Sequence, residues 1–270
     1  MPPPLLFHWH TNPADGGPEG SAFAEFCCVA ESLGVESVYV AGSLPDALAL
    51  ATDAAIQTQA LRFRVRSEPC EILEQASANP GSRLIRHIGP QAAESAAKQR
   101  HPIHISGVIP APEIHVEGDS AEAAFLAIKY ASLLWRSPDH PNQVYADALP
   151  VLHFGKAVGL ATILIVRETR DEAIDRAAAL FPTAAAERAN EAPGGIAPNL
   201  WKIDRPGRNG TFTAMVGSFH EAAEWIVALK GKGISQFLFR ACSDTRELIE
   251  STRAVIPLVR ALENRSVTLA

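Results

Sequence analysis

Cysteine is scarce in this chain, at 4 of 270 residues. Cys27, Cys28, Cys70 and Cys242 make neither a CxxC pair nor a disulfide framework, so buried thiols are the expectation. Long apolar runs are missing too. The best stretch, Leu160 to Val166, has the length of a strand and falls far short of the roughly 20 residues that cross a bilayer. The opening Met1-Pro-Pro-Pro-Leu-Leu-Phe7 lacks a basic region followed by an apolar helix, so it does not read as a secretion signal, and a cytoplasmic location is expected. Basic charge is not in excess: 24 Lys and Arg against 30 Asp and Glu leave a net charge of -6, which argues against nucleic acid as a partner. No GxSxG elbow, no GxxxxGK[ST] loop and no GxGxxG after the first strand occurs, and those three classes are set aside.

What is present is a balance of 47% apolar and 20% charged residues, enough to bury a large core. Short apolar runs alternate with Ala-rich helical segments, each change marked by Gly, Pro, Ser or Asp. Strands are expected at Leu5 to Thr11, Ser37 to Gly42, Leu61 to Glu68, Arg83 to Ile88, Glu113 to Glu117, Ser132 to Arg136, Leu160 to Arg167 and Gln236 to Arg240. Eight strands alternating with helices over 270 residues match a single closed (β/α)8 barrel better than an open doubly wound sheet. Pro102 to Gly107 reads as an inserted strand. Ala192 to Gly217, with three Pro and five Gly, reads as an irregular excursion after strand seven, either a lid over the barrel mouth or an ordinary solvated loop.

Barrel sites assemble from strand C-termini, which directs attention to the polar residues there. His8 and His10 stand two apart on strand one and so point to one side, as metal ligands or as an acid and base. A histidine pair on this strand also suits a metal-dependent hydrolase. Further ligands are poorly placed for it: His115 lies early in strand five, His140 lies past strand six, and strand eight ends in Arg240, which repels a cation. After strand five, Gly118-Asp119-Ser120 opens a helix and offers backbone N–H groups and a hydroxyl to a phosphate; a plain Asp or Ser N-cap explains the same residues. Arg136 and Arg240 end strands six and eight, each placed to face an anion or to pair with a loop carboxylate. Phe23, Phe26 and Ala30 on the first helix suit either a dimer interface or contact with the barrel.

In ordered blocks along nearly its whole length the chain resembles the bacterial luciferase-like flavin monooxygenases, most closely the alkanesulfonate monooxygenase branch. The blocks are Phe7-His-Trp-His-Thr-Asn-Pro-Ala-Asp15-Gly16, Ala30 to Val40, Glu113 to Ala124, Tyr130 to Trp135, Ile163 to Ala173, and Val216 through Leu238. The resemblance implies a barrel that binds reduced FMN from a separate flavin reductase and uses O2 to oxidise a small substrate. It further implies Gly118 and Ser120, with Asp119 between them and Arg136 nearby, at the FMN phosphate. Gly42 and Ser43 match the strand-two end near the ring, and Ser67 the strand-three end beneath it. Barrels of this kind often pair, with a copy or a homologue.

The chain departs from that branch where its chemistry sits. Ala161 and Ile163 stand where an Arg and a His are expected, Leu44 and Pro45 replace a cysteine, and Cys242 and Asp244 replace a Tyr and a His. The segment between strands four and five is cut to about Gly89 through Pro112. Two readings follow: a monooxygenase with a rebuilt pocket in which His10, His87 and Arg240 act, or a non-catalytic barrel serving as partner subunit of an active homologue.

Overall fold

A computed structural model describes residues 4–11, 17–66, 83–89, 113–139, 141–184, 199–204, 211–241 and 245–268. Strands β1 (Leu6–Thr11), β2 (Ser37–Val40), β3 (Arg62–Arg66), β4 (Leu84–Ile88), β5 (Glu113–Glu117), β6 (Leu133–Arg136) and β7 (Ala157–Arg167) follow one another as parallel neighbours. A late strand, β10 (Gln236–Arg240), pairs in parallel with β1 on one side and β7 on the other. That double pairing closes an eight-stranded parallel barrel and removes its sheet edges.

The helices are α1 (Gly20–Ser32), α2 (Leu44–Gln57), α3 (Ala121–Tyr130), α4 (Pro141–His153), α5 (Arg170–Leu180), α6 (Phe219–Lys230) and α7 (Thr245–Thr268). Local chemistry sets where several begin. Ser43 caps α2, with Pro45 in its first turn, and Thr169–Glu172 and Ser218–Glu221 form reciprocal capping boxes on α5 and α6. The inner face of α2 is Ala47, Ala51, Ala54 and Ala55, small residues that let the helix lie close to the sheet. Phe23, Phe26 and Ala30 are buried within the chain, with the Phe26 ring 4.9 Å from that of Trp9, so they pack on the barrel and are not available as a subunit interface. Cys27 is buried beside them, and burial pushes its thiol pKa up. None of the described helices is long and apolar enough to cross a membrane.

The stretch after β7 is more ordered than its Gly and Pro content implies. It contains β8 (Leu200–Asp204) and β9 (Thr211–Ser218), an antiparallel hairpin. β9 pairs in parallel with the upper half of β7, Ile163↔Ala214 through Arg167↔Ser218, while the lower half of β7, Gly159 to Ile163, pairs with β10. Trp201, Ile203, Ala214 and Val216 bury their side chains with Ala173 and Ala177 of α5 in a small core of their own. The inserted strand read at residues 102–107 lies outside the described residues.

Candidate active site

Alternation along each strand divides the barrel cleanly. On β1, Phe7 and Trp9 face the helices, and on β3 Phe63 and Val65 do the same. The intervening residues, His8 and His10, Arg62, Arg64 and Arg66, turn the other way, so polar groups fill the interior.

The lower interior holds two hydrogen-bonded clusters. His8 Nε2–H donates to Gln236 Oε1 at 3.0 Å, and Ser37 Oγ–H donates to His8 Nδ1 at 2.7 Å. Across the barrel, Trp135 Nε1–H donates to His115 Nδ1 at 3.3 Å, and His115 Nε2–H donates to Glu113 Oε1 at 3.0 Å. Glu113 also receives Arg62 at 2.5 Å and Ser132 at 2.7 Å, contacts that hold its carboxyl well below the usual range, the His115 bond foremost. Burial lowers His115 to a pKa of about 4. The indole of Trp135 needs room, which Gly159 on β7 provides by having no side chain.

The next layer lies at the C-terminal mouth. His10 stacks on Tyr39 with ring centroids 4.4 Å apart, and Tyr39 meets His87 edge-on at 5.0 Å. His87 Nε2 lies 3.0 Å from Glu117 Oε2, and the other Glu117 oxygen is held by Arg240, whose guanidinium lies 5.2 Å from the Phe212 ring centroid of the hairpin. Burial opposes ionisation of Glu117, but Arg240 and His87 outweigh it and hold the carboxyl below the normal range. Burial lowers His87 to a pKa of about 4. At neutral pH Glu117 is therefore the acceptor, the His87 Nε2 carries the proton, and Nδ1 is a free lone pair; this atom is buried and has no partner among the described residues.

Of the sequence-derived site residues, the structure brings His10, His87 and Arg240 together in this layer. It separates His8 from His10, which engage different layers and different partners. Among the described residues no group of three or more His, Cys, Asp or Glu is arranged to hold a metal ion. Gly42 precedes α2 with φ 129°, and Ser43 is that helix's cap, its hydroxyl bonded to the Asp46 carboxylate. Ser67, Cys242, Asp244 and His140 lie outside the described residues. Sequence reading missed Glu117, Tyr39 and Arg64. Glu117 was legible as the residue just before Gly118 at a strand end, where the turn behind it carries the more conspicuous motif.

That turn, expected to hold a phosphate, has other employment. The Gly118 N–H donates to the Trp135 carbonyl at 3.0 Å, as part of the sheet, and the Ser120 hydroxyl accepts the Ala123 N–H at 3.1 Å as an N-cap. Asp119 accepts the Ser137 N–H at 2.9 Å, while Arg136 donates to the Asp119 carbonyl at 3.0 Å and to Asp147 at 3.3 Å. Beside it lies a cavity of about 350 Å³ lined by Asp119, Asp139 and Asp147 against Arg136 and Lys202. Three carboxylates facing two cations repel a phosphate dianion. The residues present at this turn do not fit the FMN phosphate. In the mouth layer, the Nδ1 of His87 and the Nε of Arg240 are buried without partners among the described residues.

No protein-family model matches the sequence, and no curated protein does. Solved structures match over most of the chain. A riboflavin lyase with modified FMN and riboflavin is 12% identical, with a TM-score of 0.65 over 97% of this chain and 92% of its own. A long-chain alkane monooxygenase is 11% identical, with a TM-score of 0.65 over 98% and 92%. A coenzyme F420-dependent tetrahydromethanopterin reductase from Methanopyrus kandleri is 11% identical, with a TM-score of 0.58 over 94% and 99%. The chain has the (β/α)8 fold of luciferase-like monooxygenases. At these identities the likeness speaks for the fold alone, and none of the three singles out an alkanesulfonate branch.

Proposed function

We propose that this protein is a flavin-dependent oxidoreductase whose reaction centre is the mouth layer of His10, Tyr39, His87, Glu117 and Arg240. The observation that carries the reading is the chain Arg240–Glu117–His87, which ends in an unprotonated, buried and unpartnered Nδ1 at the mouth of a barrel shared with flavin and F420 enzymes. Such a group can take a proton from a substrate as it is oxidised. Reduced FMN, delivered by a separate reductase, would supply electrons to O2 for the oxygenation of a small organic substrate. His10 and Arg240 would hold its ring, leaving His87 to the proton.

The chain's own residues have derivable tasks. Arg240 keeps Glu117 ionised, Glu117 fixes the His87 tautomer, and the depressed pKa keeps His87 in the base form at neutral pH. Asp119, Ser120 and Arg136 hold the strand-five turn in shape and leave the phosphate, if FMN binds, to other donors. His87→Gln should lower kcat about 10²- to 10⁴-fold with the fold intact by circular dichroism. Unaltered kcat in that variant would remove His87 from the reaction.

An oxygen-free titration with photoreduced FMN, and in parallel with reduced F420, tests the reading. Saturable FMN binding at micromolar concentration or below supports it. F420 binding without FMN binding would move it to hydride transfer. Binding of neither leaves the alternative, a barrel that serves as partner subunit to an active homologue, with co-purification of that homologue as its test.

A further inference from the structure

Two of the arginines turned into the barrel are paired, Arg62 with Glu113 and Arg240 with Glu117. Arg64, between them in height, is not. It is fully buried at the middle of β3, and its Nε, Nη1 and Nη2 have no hydrogen-bond partner among the described residues. Its contacts are aromatic, with the guanidinium carbon 4.8 Å from a Trp135 ring centroid and 5.7 Å from that of Tyr39.

The surrounding charge does not balance. His8 and His10 of β1, His87 of β4 and His115 of β5 all feel Arg64, and all four have pKa values driven down by burial, so they are neutral at pH 7. Glu117 carries a negative charge but already serves Arg240 and His87. Among the described side chains of this cluster, Arg64 and Arg240 against Glu117 leave one positive charge in excess. A cation taken out of water without a hydrogen-bonding counter-ion is costly, and stacking on aromatic faces offsets only part of that cost. Among the described residues no second negative group stands against Arg64, whose guanidinium is left ready for one.

We propose that Arg64 is the binding group for a small carboxylate. Its planar fork matches two carboxylate oxygens, and the aromatic walls of Trp135 and Tyr39 leave the guanidinium edge as the polar contact. The carboxylate is the anionic end of the substrate, which makes the substrate class a small organic acid; that half rests on the oxidoreductase reading, whereas the anion site does not. A free carboxylate of similar size would use the same contacts.

The flavin-free protein is titrated with sodium formate, propionate and butyrate at constant ionic strength, and with uncharged formamide, following tryptophan fluorescence and Tm. All three carboxylates should give saturable responses, and formamide none. Arg64→Met should weaken the response at least about tenfold, with Arg64→Lys intermediate. Should Arg64→Met fail to fold, Trp135→Phe decides, because the fluorescence change is expected to vanish when the ring 4.8 Å from the guanidinium is replaced. Saturation by formate alone overturns the substrate assignment and retains a resident-anion site. Equal responses to formamide, no saturable response in the wild type, or an unaltered response in Arg64→Met overturns the site itself. Because no flavin is present, failure here and failure of the flavin titration are separate results.

Discussion

At Gly159 a Cβ would lie 2.7 Å from Cε3 of Trp135 and 3.0 Å from the Gln236 carbonyl, closer than atoms of a packed interior tolerate. Gly159→Ala should therefore destabilise the protein by about 1–3 kcal/mol, read from the urea midpoint. Combining it with Trp135→Leu should recover part of that loss, so the two changes should be non-additive in a double-mutant cycle; strict additivity would mean the indole is not what fills the space. The same pair explains why the interior was hard to read. A glycine in an apolar strand and a tryptophan on the strand before it, its register partner, carry no local mark of contact in the sequence. Likewise, the Arg62, Arg64, Arg66 alternation against Phe63 and Val65 was visible, but in a barrel both faces are buried, and period two alone does not say which face takes the charge.

Among the elements, the eight barrel strands were legible because each is a short β-rich run between turn residues, and several of the helices between them carry ordinary caps. Ser120 shows how a cap signal and a ligand signal coincide. Its hydroxyl accepts the Ala123 N–H, so Ser120→Ala should cost about 1 kcal/mol of stability and leave FMN affinity unaltered; weakened FMN binding with stability unchanged would return the phosphate to this turn. The β8–β9 hairpin was overlooked for a compositional reason. Leu200-Trp-Lys-Ile203 and Thr211-Phe-Thr-Ala-Met-Val216 are strand-like runs separated by Pro206, Gly207, Asn209 and Gly210, a turn signature. Their setting among further Gly and Pro residues made the whole span look irregular.

For the molecule as a whole, the polar interior makes stability depend on pH in one direction. Burial depresses the pKa of His8, His10, His87 and His115, to about 4 for the latter two. In the unfolded chain these groups titrate near 6.5. Above that pH both states are neutral and the stability is fully present. As pH falls from about 6.5 toward 4, the unfolded chain gains protons that the folded one refuses, at about 1.4 kcal/mol per pH unit for each histidine. The carboxyls of Glu113, Glu117 and Glu247 are held low and add a loss of the same sign at more acid pH. Tm should thus fall steeply between pH 6.5 and 4, with more than one proton taken up on unfolding; a flat Tm over that range would mean the histidines are hydrated and not enclosed.

One strand belongs to two structures at once. Below Ile163 it is a stave of the closed cylinder, and above it the same backbone carries β9, whose Phe212 rests on Arg240. A flap hung on a flexible tether can swing; an awning bolted to a continuation of the wall cannot, without splitting the wall. The hairpin is a fixed eave, so any ligand reaching Arg240 must pass beside it, and amide exchange in residues 163–167 should be as slow as in the cylinder.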